Sequence, residues 1–164
     1  TATIKGFEPL YIQRIAQLTN KSNQFNLTTL RCSEDDIRAM AGDKNDLCLC
    51  GKLVDKFGDN GIVTVVAGRQ QGDVLDLTLW LMSCRVLKRG MEDAMMDTVV
   101  AEAAARGGKT IVGHYYPTAK NAMVREFYAQ YDFAKTAEDA DGNTEWTLDV
   151  AAYTPKHPHM KIER

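Results

Sequence analysis

The hydrophobic pattern of residues 47–82 has a period of two and is interrupted twice by polar turns. Such alternation predicts strands with one buried face. The interruptions are "FGDNG" (57–61), which ends in an Asn-Gly pair, and "GRQQGD" (68–73), and both are typical of hairpin turns. The last run, "VLDLTLWLM" (74–82), is expected to place Leu75, Leu77, Leu79 and Leu81 on one face. The pattern therefore predicts a three-stranded antiparallel meander.

A strand and two helices are predicted before this meander. The run "ATIKGF" (2–7) is typical of a first strand, and Pro9 begins a helix that reaches about residue 20. Ser33 and Asp36 form a capping-box start for a short second helix.

After the meander, apolar residues recur at every fourth position from Met91, and Gly107 ends this helical pattern. Residues 109–116 then form a strand, which is expected to pair parallel to residues 74–82 through the crossover helix. Another helix is expected from near Thr118, and a last hairpin around residues 139–143. The predicted order is β-α-α-β-β-β-α-β-α-β-β, an α+β mixed sheet over residues 1–152 with a C-terminal tail at 153–164.

Composition excludes some classes of partner. The chain has 164 residues, 45% of them hydrophobic, which suffices for one domain with a sizeable core. With 20 basic and 22 acidic residues its net charge is −2, so no global basic field favours nucleic acid or an anionic membrane as partner. No apolar run reaches the roughly 18 residues that span a bilayer, and no signal-peptide pattern is present. We therefore expect a cytoplasmic protein.

The four cysteines, Cys32, Cys48, Cys50 and Cys84, include no C-x-x-C pair. Cys48 and Cys50 fall within a predicted strand, which favours buried thiols over disulfides or a zinc site. Cys84 lies beside cationic residues at a predicted helix start, so it is either a reactive thiol or a small buried residue, and the sequence favours the second. His157 and His159 are interpreted as solvated tail residues, and no metal site is expected.

A basic turn, "SCRVLKRGMED" (83–93), joins the last strand of the meander to the next helix. Unpaired N–H groups at a helix N-terminus attract anions, and Arg85, Lys88 and Arg89 would add positive charge there. The turn thus indicates a binding site for phosphate or pyrophosphate. A solvated basic turn is the alternative, and the motif alone does not choose between them.

This turn and the order of elements around it resemble the GNAT superfamily of N-acetyltransferases, in which a turn with the motif Q/R-x-x-G-x-G/A binds the pyrophosphate of acyl-CoA through its backbone. Arg85 matches the first position and Gly90 the last, whereas Lys88 stands where the family has Gly. The resemblance implies a GNAT-like fold. It also implies a site for acyl-CoA (acetyl-CoA) at Arg85, Val86, Leu87, Lys88, Arg89 and Gly90.

A second motif of that family, N-x-x-A-x-x-F-Y-x-x-x-G-F, is similar to residues 121–133. The resemblance implies that Tyr128 is the general acid that protonates the departing thiolate and that Asn121 contacts the pantetheine arm. A Tyr suits this role because its ordinary pKa, about 10, is close to that of a thiol. Asp132 replaces the family's last Gly. The alternative is that Tyr128 and its aromatic neighbours belong to the core.

Four longer strings resemble a narrower family, the FkbH-like proteins of the haloacid-dehalogenase (HAD) phosphatase subfamily IIIC. They are "QLTNKSNQFNLTT", "DKFGDNGIV", "LMSCRVLKRGME" and "YYPTAKN". Better-understood members carry an N-terminal HAD-type domain with a D-x-D-x-T/V motif and load a glyceryl unit onto the phosphopantetheine of an acyl carrier protein. That motif does not occur in this sequence, so we expect the phosphatase domain to be cut away, as the start at Thr1 indicates, or encoded elsewhere.

Both resemblances imply a phosphopantetheine thioester, of CoA or of a carrier protein, between residues 80–83 and 111–115. Two functions stay open. One is an acyltransferase acting on an amine, hydroxyl or thiol, and the other is a non-catalytic module that docks a carrier protein or supports the phosphatase domain.

An amine acceptor also requires a general base, and Asp76, Glu92 and His114 are the candidates. The acceptor side would be formed by side chains of the "SNQFN" loop and the neighbouring strand, namely Asn23, Gln24, Asn26 and His114. The loop amides could equally serve only to tie down their own loop.

Overall fold

The computed structural model describes residues 1–55, 58–86, 90–158 and 160–163, without the side chains of Asp55, Asn60 and Arg85. One sheet runs through the described chain in the order β6-β7-β5-β4-β3-β2-β1-β8. Its strands are β1 (Ala2–Lys5), β2 (Asp46–Asp55), β3 (Gly58–Gln71), β4 (Val74–Met82), β5 (Thr110–Tyr115), β6 (Ala134–Glu138), β7 (Thr144–Asp149) and β8 (Ile162–Glu163). The α-helices of the described residues are α1 (Ile12–Lys21), α2 (Glu34–Gly42) and α3 (Met91–Ala105).

The predicted α+β mixed sheet is confirmed. Strands β2, β3 and β4 form the antiparallel meander, α3 crosses over to β5, and β5 pairs parallel to β4. Ser33 caps α2 as predicted, because its side chain accepts from the N–H of Asp36 while the Asp36 carboxylate accepts from the N–H of Ser33. The tail contributes β8, which pairs parallel to β1 at the far edge. No helix in the described residues is long and apolar enough to cross a membrane.

The sheet separates two hydrophobic cores. On one face α3 packs against the central strands, with Trp80 and Met95 fully buried. On the other face α1 and α2 cover β3 and β4, with Ile15 and Ile37 fully buried. His114 of β5 lies outside the second core, and its side chain is 19% exposed.

A β-bulge in β4 divides its four leucines between the two faces of the sheet. Thr78 has no partner in the described strand β3, although Leu77 and Leu79 on either side of it do. Leu75 and Leu77 therefore pack in the α3 core, whereas Leu79 and Leu81 pack in the α1–α2 core. The expectation that all four share one face was wrong, because one extra residue shifts the alternation of a strand to the opposite face.

The first hairpin also differs from the prediction. Val54 pairs with Asp59, and Asp55 pairs with Gly58, so the Asn60-Gly61 pair lies within β3 and not at its turn. Residues 56–57 are outside the described chain. The second turn is confirmed between β3 and β4, where Gly72 has a φ of 62°.

The segment predicted to be helical from near Thr118 forms two 3-10 turns instead, at Ala122–Val124 and Tyr128–Tyr131. Its backbone bonds span three residues, as from Gln130 N–H to Phe127 O. Asp132 ends the segment with a φ of 71°, a left-handed conformation that Gly adopts freely and Asp tolerates. Asp132 therefore keeps the backbone conformation that the Gly of the family motif would favour.

Candidate functional site

The parallel strands β4 and β5 pair only at their beginnings. Residues 74–76 lie opposite residues 110–112, and beyond these the described parts of the two strands do not pair with each other. A gap therefore opens in the sheet toward their C-terminal ends. Ligands of parallel sheets bind outside such strand ends, where neighbouring chain connections separate.

The gap is filled by residues 25–28, which we call the inserted segment. Leu27 N–H donates to Trp80 O (3.0 Å), and Met82 N–H donates to Phe25 O (3.0 Å). On the other side, Tyr116 N–H donates to Leu27 O (2.8 Å). The inserted segment thus forms a β-bridge to β4 at Asn26 and Leu81 and a hydrogen bond to the residue after β5, so the predicted thioester slot between these strands is not open in this structure.

Asn121 holds the inserted segment in place. Its side-chain Nδ2 donates to Asn26 O and Tyr116 O, both at 2.9 Å. Its Oδ1 accepts from Thr118 N–H at 2.8 Å and from the Tyr115 hydroxyl at 3.3 Å. Asn121 and Asn26 are both fully buried. The predicted contact between Asn121 and a pantetheine arm stays untested, but every hydrogen-bonding position of this amide is already used within the chain.

The predicted phosphate-binding turn precedes the N-terminus of α3. Leu87, Lys88, Arg89 and the side chain of Arg85 are outside the described chain, Val86 is buried, and Gly90 is the N-cap with a φ of 86°. A Cβ on Gly90 would lie 3.3 Å from Met160 Cε and 3.4 Å from Pro158 Cβ. The tail therefore packs directly against this turn. Glu92 and Asp93 also occupy the first turn of α3, where carboxylates stabilise the helix dipole as a bound anion would.

Asp97 of α3 anchors the C-terminal tail (153–164) through hydrogen bonds. Its carboxylate accepts from the Tyr153 hydroxyl (2.5 Å), from Lys156 N–H (2.9 Å) and from His157 N–H (3.0 Å). Burial and this carboxylate raise the pKa of Tyr153 well above its ordinary value, so the phenol stays a donor. The His157 side chain is exposed, in line with its interpretation as a solvated residue, and His159 is outside the described residues.

Tyr128 lies in the α3 core and is 1% exposed. Its ring packs on the backbone of Gly113 and contacts the rings of Phe127 and Phe133, with centroid distances of 5.3 and 4.8 Å. Burial raises the pKa of Tyr128 far above its ordinary value. Its role as general acid stays a prediction, and a hydroxyl with so high a pKa is protonated at every physiological pH.

Two of the three candidate bases meet across the parallel strands. His114 Nε2 of β5 lies 2.5 Å from Asp76 Oδ1 of β4. Asp76 is the last residue of β4 that pairs with β5, and His114 lies two residues beyond its partner, Val112. The side chains are 19% and 42% exposed, so the pair is accessible from one face of the sheet. The Tyr116 ring lies 5.9 Å from the imidazole, and Glu145 is the strand partner of His114. Glu92, the third candidate, lies in the first turn of α3.

A cavity of about 690 Å³ opens beside the C-terminal end of β4. Among the described residues, three cations line it, namely Arg14, Lys21 and Lys120. Its polar wall includes Asn23, Gln24 and Cys84, and the Cys84 thiol donates to Gln24 Oε1 at 3.1 Å. Leu18 and Met82 supply apolar surface.

The structure divides the predicted acceptor residues among three places. Asn23 and Gln24 line the cavity, Asn26 is buried in the inserted segment, and His114 belongs to the ion pair. Sequence reasoning missed the cations of the cavity. The spacing of Arg14, Leu18 and Lys21 along α1 was the available indication, because residues four and three apart share one helix face.

Cys84 is expected to be the thiol that alkylates first. Burial raises the pKa of both Cys48 and Cys50 to about 12, and it also raises the pKa of Cys32, whereas Cys84 is exposed. At pH 8 a thiol of that pKa is only about one part in 10⁴ thiolate, the reactive form. We predict one fast-labelling thiol with iodoacetamide, lost in Cys84→Ser, and labelling of all four cysteines in denaturant. A second thiol that reacts equally fast in the folded protein would contradict this assignment.

The fold is similar to that of solved acetyltransferases, at low sequence identity. No protein-family model matches the chain, and no curated protein matches it. The ribosomal-protein-S18-alanine N-acetyltransferase from Escherichia coli superposes with a TM-score of 0.70 at 13% identity, over 98% of this chain and 100% of that chain. An acetyltransferase of the GNAT family from Streptococcus pneumoniae gives 0.66 at 14% identity, over 91% and 99%.

A third neighbour, the spermidine N-acetyltransferase from Vibrio cholerae in complex with CoA and spermine, gives a TM-score of 0.68 at 9% identity, over 92% of this chain and 96% of that chain. In the described residues of our chain, no group of three or more His, Cys, Asp or Glu side chains is placed to hold a metal ion. The likeness over nearly the whole length, together with the sheet order and the gap between β4 and β5, identifies the architecture. The chain has the GNAT fold.

Proposed function

We propose that this domain transfers an acyl group from a thioester to an amine. The Asp76–His114 pair carries the proposal, because it provides an imidazole oriented by a carboxylate at the point where β4 and β5 separate. Imidazole bases of this kind remove a proton from an attacking nucleophile in many acyl-transfer sites. Hydroxyl and thiol acceptors fit the same chemistry.

In this proposal Asp76 holds His114 through Nε2 and leaves Nδ1 to accept a proton from the acceptor. The acceptor nitrogen bonds to the thioester carbonyl carbon, the carbon–sulfur bond breaks, and the sulfur leaves with a proton as a thiol. Glu145 adds negative charge beside the pair, which favours the approach of a protonated amine. Tyr128 stays the candidate acid for the sulfur.

We further propose that the thioester is carried by the phosphopantetheine of an acyl carrier protein and that a HAD-type phosphatase domain works with this one. The four strings that resemble the FkbH-like proteins support this part of the proposal. We expect acyl transfer from an acylated holo carrier protein, and we expect it to be lost when the corresponding acyl-CoA is the donor.

Asp76→Asn is expected to lower kcat for acyl transfer about 100-fold with little change in KM, because His114 loses the carboxylate that orients it. The measurement is thiol release from acetyl-CoA and from an acetylated holo carrier protein over a panel of primary amines. Asp73→Asn removes an exposed carboxylate at the turn before β4 and serves as the matched control. Equal turnover of Asp76→Asn and wild type would contradict the base, and no transfer from either donor would contradict the acyltransferase.

A non-catalytic module that docks a carrier protein or supports a phosphatase domain is the second candidate. Two observations favour it: the inserted segment fills the gap between β4 and β5, and the tail packs against Gly90. Under this candidate the domain binds a holo carrier protein, and the same assay gives no thiol release from either donor.

A further inference from the structure

The inserted segment (residues 25–28) occupies the backbone groups of β4 that face the gap. Trp80 O and Met82 N–H each bond to it at 3.0 Å. The Phe25 and Leu27 side chains are buried in the α3 core. Any ligand that enters the gap beside β4 meets the same two backbone groups. Because a backbone N–H is a single donor, the segment and such a ligand compete for Met82.

One hydroxyl holds the end of the segment. Thr28 Oγ1 donates to Thr78 O at 2.8 Å, and Thr78 is the exposed residue at the bulge of β4. Because water can pair this carbonyl when the hydroxyl is absent, the bond can be removed without leaving a buried group unpaired. The bond therefore offers a way to loosen the segment without disturbing the core.

The residue after the segment has a strained backbone. Thr29 has a φ of 52°, in the left-handed region, where a β-branched residue is rare and costs free energy. Its N–H donates to Asn26 Oδ1 at 2.9 Å, and Asn26 is fully buried in the segment. The position of the segment in the gap thus holds Thr29 in this conformation, and departure of the segment would release the strain.

A buried donor beside the segment is unpaired. The Trp80 indole N–H makes no hydrogen bond with a described residue, although Trp80 is fully buried. The Trp80 and Phe25 rings pack on the same Phe127 ring, each with a centroid distance of 5.2 Å. A buried N–H without a partner costs free energy, which an oxygen atom of a ligand that reaches the indole would recover.

We propose that the inserted segment is a gate. In the closed state it occupies β4 as seen here, and in the open state it leaves the gap so that an acyl thioester enters. A ligand shifts such an equilibrium only through its different affinities for the two states. Here the difference comes from the β4 backbone groups and the indole N–H, which only the open state offers to a ligand. The apparent affinity for the thioester is then reduced by the open fraction.

This proposal rests on the proposed acyl-thioester function for its ligand and adds a regulation of that site. It also reconciles the filled gap with acyl transfer, because the filled gap is then one of two states of the domain.

Amide hydrogen exchange of the free protein tests the gate without a ligand. The N–H groups of Leu27, Met82 and Tyr116 all take part in bonds between the segment and its neighbours, so we expect them to exchange together through one partial opening. Ser83 N–H is the matched control, because it follows Met82 and donates to Val63 O of β3 at 2.7 Å. We expect it to exchange at least about tenfold more slowly than Met82 N–H.

A second exchange experiment uses S-acetyl-phosphopantetheine as the probe, since CoA and a carrier protein share this arm. With saturating probe we expect Leu27 N–H to exchange at least about tenfold faster than in the free protein, because its segment is displaced. A ligand that binds a rigid site slows exchange instead. The sign of the change therefore distinguishes displacement from simple binding.

Two substitutions should shift the gate in opposite directions. Thr28→Val removes the bond to Thr78 O, so we expect about fivefold faster exchange at Leu27 N–H and about fivefold tighter binding of the probe, the usual effect of one hydrogen bond. Thr29→Gly relieves the backbone strain of the closed state, so it should slow that exchange and weaken binding by about threefold. A general loss of stability does not produce tighter binding.

Thr136→Val is the matched control for Thr28→Val. It removes a similar exposed bond, from Thr136 Oγ1 to Glu145 O at 3.2 Å, on the edge strand β6. It should change neither the exchange of Leu27 N–H nor the affinity for the probe.

Three results would overturn the gate: exchange of Leu27 N–H no faster than that of Ser83 N–H, slower exchange with the probe bound, or equal effects of Thr28→Val and Thr136→Val. These results separate from a failure of the proposed function. Joint opening that responds to Thr28→Val and Thr29→Gly, without binding of the probe, would keep the gate and remove the acyl thioester as its ligand. Probe binding and acyl transfer without displacement of the segment would keep the function and remove the gate.

Discussion

Asn121→Leu is expected to lower the free energy of unfolding by about 4 kcal/mol. Leucine matches asparagine in size but makes none of its hydrogen bonds, and the side chain is fully buried. The carbonyls of Asn26 and Tyr116 lose their donor, while the Thr118 N–H and the Tyr115 hydroxyl lose their acceptor. Each buried group left unpaired costs about 1–3 kcal/mol, although some will be reached by water.

Urea denaturation followed by circular dichroism measures this loss as a change in midpoint at constant slope. Asn45→Leu is the matched control, because Asn45 is exposed and its side chain makes no hydrogen bond with a described residue. That substitution should stay within about 0.5 kcal/mol of wild type. A loss below about 1 kcal/mol for Asn121→Leu would show that this amide does not hold the inserted segment between the strands.

Gly113→Ala is expected to destabilise the domain by about 3 kcal/mol through overpacking. The added Cβ would lie 2.5 Å from Cζ and 2.6 Å from Cε2 of the Tyr128 ring. That ring has no room to retreat, because it is buried against the rings of Trp80, Phe127 and Phe133. Either β5 or the aromatic cluster must therefore shift.

Thermal and urea unfolding of the Gly113→Ala protein measure the effect, with Gly42→Ala as control. Gly42 ends α2 with nothing within 4 Å of an added Cβ, so the same substitution should be neutral or stabilising there. In a double-mutant cycle, Tyr128→Leu should cost less in the Gly113→Ala background than in wild type, because the smaller side chain relieves the contact. Additive losses would show that the ring does not press on Gly113.

Local patterns predicted the elements well where one physical cause dominates. The capping box at Ser33 and Asp36 sets the start of α2, and the alternation of residues 74–82 marks β4, each within its own few residues. The crossover from β4 to β5 followed from chain geometry alone, since parallel neighbours require a long connection. These predictions were confirmed because their causes act over a few residues or one connection.

Other features depend on contacts between distant residues and left no local mark. The bulge at Thr78 turns Leu79 and Leu81 to the opposite face, although the sequence alternates without a break. Asn23, Gln24 and Asn26 were predicted as one acceptor group, yet Asn26 is buried in the sheet while Asn23 and Gln24 line the cavity. Arg14 and Lys120 are more than a hundred positions apart and meet at one cavity.

The sequence by itself determined the periodicities, the caps and the turn compositions, and with them an α+β sheet with a parallel crossover, because these follow from neighbouring side chains and from backbone geometry. Only the tertiary structure decided what lies in the gap between β4 and β5, which base pairs with His114, and where positive charge collects. Those outcomes depend on which segments form hydrogen bonds with the backbone N–H and C=O groups that the strands leave unpaired. They also depend on which charged side chains the fold brings together. A single sequence records neither, since its pattern reports the burial of each residue and not the identity of its partner.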